Sequence, residues 1–160
     1  MSRSTTKKKL WNIFAEFIRL RDSKDGFGTC ISCGKMVSYP NSTGNWQACH
    51  YFPRSTTFAG LYFDEKNVNG GCSYCNKWLG GNIQGYREGL IKKYGPKILD
   101  DLAIKKMSRQ SLDEFQMGAL ILHYKKLVKQ MKIDRGMISP ERRKKDGRPT
   151  KGKAERPLVP

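Results

Sequence analysis

Acidic residues, histidines and long apolar runs are all scarce in this chain. Asp and Glu number 14 against 31 Lys and Arg, which leaves a net charge of +17 over 160 residues. Repulsion of that size works against a compact fold, so the excess is expected to serve a polyanionic partner, nucleic acid or an anionic membrane. No apolar stretch approaches the ~20 residues needed to span a bilayer. The basic start MSRSTTKKK is not followed by the apolar core and small-residue site of a signal peptide. A cytoplasmic protein with a nucleic-acid partner and no membrane partner is the resulting expectation. No internal repeat is visible, and there are two histidines in all.

What the chain does have is cysteine in a pattern. Five cysteines in a cytosolic protein do not suggest disulfides. Four form two Cys-x-x-Cys pairs, Cys30 with Cys33 in CISCG and Cys72 with Cys75 in CSYCN. Each pair in a tight turn aims two thiolates at one point, and two such turns complete the tetrahedral set that Zn²⁺ prefers. Gly34 suits the left-handed position of such a turn. The zinc is expected to be structural, because four thiolates leave no open coordination position. The pairs are 38 residues apart, so a segment is inserted between them.

Leu10, Ile13, Phe14, Phe17 and Ile18 recur at helical spacing and predict a helix over 4–21, capped by Ser4, Thr5 or Thr6 and ended by DSKDGFG. Residues 28–71 show no helical period. SYPNSTGNW reads as a turn between short strands, and HYFPRS and GLYF as short strand or loop pieces. Tyr86, Leu90, Ile91 and Tyr94 predict a helix closed by Gly95 and Pro96, and a short helix is expected at 97–104. Ser111 and Glu114 have capping-box spacing, opening a helix to about Lys132 with Leu112, Phe115, Ala119, Leu122 and Leu127 among its apolar positions. The resulting division is an N-terminal helix at 1–27, a zinc-bound core at 28–95, a helical region at 96–134 and a tail at 135–160. The tail holds four of the seven prolines and a dense basic run, the composition of a disordered phosphate-binding arm.

Between the cysteine pairs lies QACHYFPR, where His50 ends an expected strand. Asn67 follows in a loop, Asn76 stands directly after Cys75, and Asn82 lies six further on. This layout resembles the HNH, or ββα-metal, nucleases. The resemblance implies that His50 deprotonates water, that Asn67 keeps strand and histidine in register, and that helix residues complete a site for Mg²⁺ or Mn²⁺. LWNIFAEFIRLRDS, CISCGK, QACHYFPRS, FDEKNVNGGCSYCNKWLGGN and YREGLIKKYG together resemble the NinG (Rap) recombination nucleases of lambdoid phages, over about residues 8–130. That likeness implies an endonuclease specific for branched DNA such as D-loops and Holliday junctions. It also implies an α+β fold with a zinc-stabilised treble-clef HNH core and flanking helices. A more distant likeness to the phage resolvase endonuclease VII implies that Asn76 is a ligand of the catalytic metal. Asn82 is a further candidate ligand.

Each candidate has a plainer alternative. His50 is a structural histidine or a metal ligand if it is not the base, Asn76 a helix cap, and Asn67 a turn residue. Cys49 stands where many HNH sites carry an acidic or histidine ligand. Either it is simply buried, or the ion is not Mg²⁺, or a carboxylate such as Asp64 or Glu65 enters from elsewhere. Arg54, Lys77, Arg87, Lys92 and Lys93 are candidate phosphate contacts, and Trp46 and Trp78 candidate stacking residues or core. His123, beside Leu122 and Tyr124, reads as a packing or surface residue. Paired nicks in a four-way junction need two active sites, which leaves a homodimer open. The rival functions are a noncatalytic zinc-stabilised nucleic-acid-binding protein and a protein-interaction adaptor.

Overall fold

In the computed structural model the described residues are 2–40, 44–53 and 59–139. They form a mixed α and β fold with two small antiparallel sheets. The chain divides into two units, residues 1–128 and 129–160. Of the second, the described part is the end of the last helix and five residues beyond it. Most of the expected disordered tail, at 140–160, lies outside the described residues.

Helix α1, Arg3–Arg21, buries Leu10, Phe14, Phe17 and Ile18, with Ala15 and Leu20 beside them. Its cap is Ser2, whose Oγ accepts from the Thr5 amide, so the helix starts earlier than the expected cap at 4–6. Asp25 and Gly26 both have positive φ, 51° and 83°. They turn β1 (Ser23–Lys24) into β2 (Phe27–Thr29), the hairpin that an Asp-Gly pair favours. Strand β3, Met36–Ser38, adds to β2. The first cysteine pair sits in the turn between β2 and β3.

The second sheet pairs β4, Trp46–His50, with β5, Val68–Cys72. Its register sets Trp46 opposite Cys72 and His50 opposite Val68. Helix α1 packs along both strands. Trp46 is buried and fills the space over Gly28 and Gly70, where any Cβ would strike its ring; it is core, not a stacking residue. GLYF, expected as strand or loop, lies largely in a short helix, α2, Ala59–Tyr62. Leu61, Tyr62 and Phe63 are all buried, which the alternation of a half-exposed strand would not allow.

After Cys72 the chain makes a π-helical turn, Tyr74–Trp78, and then α3, Ile83–Tyr94, closed by Gly95 at φ 86°. Gly85 and Gly89 face the first cysteine turn so closely that a Cβ on either would fall on the carbonyl oxygens of Ser32 and Ile31. Helix α4 is Ile98–Met107, longer than expected.

Helix α5, Glu114–Asp134, corrects two expectations. The capping box is formed by Asp113 and Gln116, with reciprocal bonds of 2.7 and 3.0 Å. Glu114 instead accepts from Thr6 Oγ1 on α1, a tertiary bond that removes it from the expected box. The buried face is Met117, Ile121, Tyr124 and Val128, while Phe115, Ala119 and Leu122 are exposed. Packing on α1 selects that face: the Tyr124 ring lies 5.0 Å from both Phe14 and Phe17.

Asp22, at the end of α1, ties three elements together. Its carboxylate takes Arg21 at 2.7 Å, the Gly70 amide of β5 at 2.8 Å and Lys93 of α3 at 2.8 Å. Burial opposes its charge, but the bonds and charges of Arg21 and Lys93 outweigh that and hold it below its ordinary pKa of 3.8.

Candidate functional site

The four paired cysteines converge. Their sulfurs all lie within 4.8 Å of one another, with Cys30, Cys72 and Cys75 buried and Cys33 exposed. Cys33 Sγ and Cys72 Sγ are 3.8 Å apart. A tetrahedral zinc with Zn–S bonds of ~2.3 Å spaces its sulfurs by ~3.8 Å, so the donor set fits such an ion. The first turn closes through Gly34, at φ 71°, whose amide donates to the Cys30 carbonyl. Backbone and side-chain N–H groups are aimed at the sulfurs: the Cys75 amide at Cys72 Sγ, and Asn82 Nδ2 at Cys75 Sγ. Without an ion, burial pushes the Cys75 thiol up to about 12. Burial raises Cys33 too, whereas at Cys30 the opposing effect of burial is exceeded by backbone N–H bonds and the pKa falls. These cysteines can hold a structural metal such as zinc.

His50 and Asn76 come together on a second feature, a cleft of about 700 Å³. Its lining is Ala48, His50, Asn76 and the segments around Phe52 and Gly80. The His50 ring is stacked on Trp11 of α1 at 4.9 Å and meets the edge of Tyr62 at 4.9 Å. Its Nε2 lies 2.9 Å from the Tyr62 carbonyl oxygen. A carbonyl only accepts, so in the neutral ring Nε2 carries the proton and Nδ1 the basic lone pair. Asn76 Nδ2 donates to Gln47 Oε1 at 2.7 Å, which orients the amide from the neighbouring strand.

Asn67 is fully buried and does not line the cleft; it holds the backbone beside it. Its Oδ1 accepts from the Phe52 amide at 2.9 Å, and its Nδ2 donates to the carbonyls of Leu61 and Phe52 at 3.1 and 3.4 Å. One side chain thereby fixes the segment after His50 to the end of α2. The Tyr86 hydroxyl adds a 2.7 Å bond to the Cys49 carbonyl from α3. Burial raises the Tyr86 pKa well above its ordinary value, so it serves as a neutral donor.

Other candidates fall elsewhere. Asn82 turns its amide to Cys75 and to the Ser32 carbonyl, and so belongs with the cysteine cluster rather than with His50. Cys49 is buried in a core cluster with Tyr86, Leu90 and Leu102, the plain alternative foreseen for it. Adjacent residues on a strand point to opposite faces, so Cys49, which precedes His50 on β4, faces away from the cleft. Asp64 bonds the Lys66 and Asn67 amides and pairs with Lys105, and Glu65 accepts from Tyr124 and pairs with Arg21. The described residues lining the cleft include no carboxylate. Lys93 is engaged by Asp22 and Asn69, which removes it as a ready phosphate contact. Lys77, Arg87 and Lys92 are exposed and make no ion pair among the described residues. Arg54 lies outside the described residues. His123 is exposed on α5.

Sequence reasoning missed Trp11, Gln47, Tyr62 and Asn69. Trp11 sits one position off the apolar stripe of α1, and a large aromatic there is the signal that something covers it. Asn69 is fully buried within a polar network that no short motif announces.

A family model described as Bacteriophage Lambda NinG protein matches residues 1–134. Among curated proteins, "Protein ninG" of Escherichia phage 933W and of Salmonella phage P22 are each 39% identical over 87 residues, and that of Escherichia phage lambda is 38% identical over the same length. Each match covers 54% of this chain and only 38% of the relative's own length. No solved structure matches. No helix among the described residues is long and apolar enough to cross a membrane. With most of its length matched by the family model, the chain belongs to the NinG family.

Proposed function

We propose that the protein is an HNH-type endonuclease that hydrolyses phosphodiester bonds in branched DNA. The observation that carries this reading is the shared cleft of His50 and Asn76, with Asn67 clamping the backbone that follows the histidine. In it, His50 takes the proton of a water at Nδ1 while the Tyr62 carbonyl and the Trp11 ring hold the imidazole. The water oxygen then bonds to phosphorus as the ester P–O bond breaks. Asn67 holds the loop, and the cysteine cluster with its zinc anchors the turn that presents Asn76.

A catalytic Mg²⁺ or Mn²⁺ would find the Asn76 amide oxygen here, since the one basic nitrogen of His50 is used for the water proton. When bound, such an ion supplies positive charge for the leaving oxygen. That donor is neutral and no described carboxylate joins it, so the site fits a hard ion only if substrate phosphate and water complete its shell. The excess of positive charge supports a nucleic-acid substrate, and the family supports a phage DNA context.

The test is cleavage of an end-labelled four-way junction beside a matched linear duplex, with Mg²⁺ or Mn²⁺, by the wild type and by His50→Ala. Junction cutting that drops by about 10²-fold or more in His50→Ala is the expected result. Cutting that survives the substitution removes His50 as the base. Binding without cutting under either ion would instead make the protein a zinc-stabilised DNA-binding module.

A further inference from the structure

Trp78 is the most conspicuous residue that this mechanism does not use. It ends the π-helical turn and is 78% exposed, although a free tryptophan face on a small protein usually finds cover. Leu79 and Ile83, one and five residues further along the chain, are each 47% exposed as well. Trp78 lies in the chain between Asn76 and Gly80, both of which line the His50 cleft. The turn that carries it is rigidly tied. The Leu79 amide donates to the Tyr74 carbonyl and the Gly81 amide to the Cys75 carbonyl, beside the metal cluster. Gly80, Gly81 and Asn82 all have positive φ, 55°, 93° and 45°, and this reverses the chain immediately after the tryptophan. Lys77 precedes it as an exposed cation.

We propose that Trp78 is a stacking platform for an unpaired base at a DNA branch point, set on the rim of the His50 cleft. The inference rests on the proposed nuclease function and adds the residue that tells branched from linear DNA. A base inside a duplex is already stacked on both faces, so an indole can add nothing to it without breaking that stacking. An unpaired base at a fork or flap has a free π-face, and every base has one, so recognition would depend on structure and not on sequence. A neighbouring lysine and a net charge of +17 complement the phosphates that accompany such a base.

The experiment uses the full chain in a His50→Ala background, so that DNA stays intact during binding. Affinities are compared for a flapped four-way junction and a matched linear duplex with Trp78 intact, with Trp78→Ala and with Trp78→Phe. Trp78→Ala is expected to weaken junction binding about tenfold or more and to change duplex binding by less than about twofold, while Trp78→Phe keeps most of the junction affinity. Indole emission should be quenched by the junction more strongly in the parent than in Trp78→Phe, since Trp46 is buried and Trp11 half-buried. Equal weakening on both DNAs, or none on either, overturns the proposal. Loss of self-association in Trp78→Ala with junction binding unchanged also overturns it and assigns the surface to a second copy of the chain. If the His50→Ala protein cuts the junction, the assignment of His50 fails, while the binding ratios still decide the role of Trp78.

Discussion

Cys30 and Cys33 share one tight turn, as do Cys72 and Cys75, so half of the metal cluster is arranged within four residues of chain. His50, by contrast, takes its orientation from Trp11 on α1 and from the Tyr62 carbonyl at the end of α2, and its loop from Asn67. The first site is assembled mostly by local geometry and the second mostly by packing. That difference predicts how each should fail. Loss of a local ligand removes a staple on which the small sheets depend, whereas loss of a packed neighbour loosens the cleft and leaves the rest standing.

The largest effect is expected for Cys72→Ser. Structural zinc sites contribute ~10 kcal/mol or more to folding in small modules. The variant should lose its bound metal and its cooperative unfolding, read by metal analysis and thermal melting. If it retains both, the cluster is not the staple described here. Asn67→Ala should come next, lowering stability by ~2–4 kcal/mol, because the Phe52 and Leu61 backbone groups lose buried partners. Denaturant melts would measure this, and metal content should stay unchanged. A loss of metal in Asn67→Ala would show that the two sites are less separate than their construction implies.

Acid tests the tie between the first helix, the second sheet and α3. The Asp22 carboxyl is held below 3.8 in the folded chain, so its contribution is complete above that pH and is lost as pH falls through the depressed value. Stability measured across this window should fall more steeply in the wild type than in Asp22→Asn. The smallest effect is expected for Phe115→Ser on the exposed face of α5, within about 0.5 kcal/mol, since the ring is 85% exposed. A large loss there would mean that this face is covered in solution.

Much of this was legible in the chain. The apolar stripe of α1, the Gly95 and Pro96 stop, and the cysteine spacing all act over a few residues, and each marks its element correctly. The α5 cap was not legible, because two overlapping patterns satisfy the same spacing rule and only the bond from Thr6 to Glu114 separates them. The buried face of α5 was misjudged for a related reason. That helix has apolar residues on more than one face, and contact with Phe14 and Phe17 selects Tyr124 over Leu122.

The site divides along the same line. By itself, the sequence determined the donor chemistry: four thiolates in two turns, one histidine between them, asparagines following and an excess of positive charge. Such properties are carried by residue type and short spacing. Only the tertiary structure decided that Asn76 shares a cleft with His50 while Asn82 turns to the cysteines, that Cys49 is core, and that Lys93 is held by Asp22. Those outcomes depend on which faces of distant elements meet, and burial of apolar surface, which is not directional, sets that for the whole molecule at once.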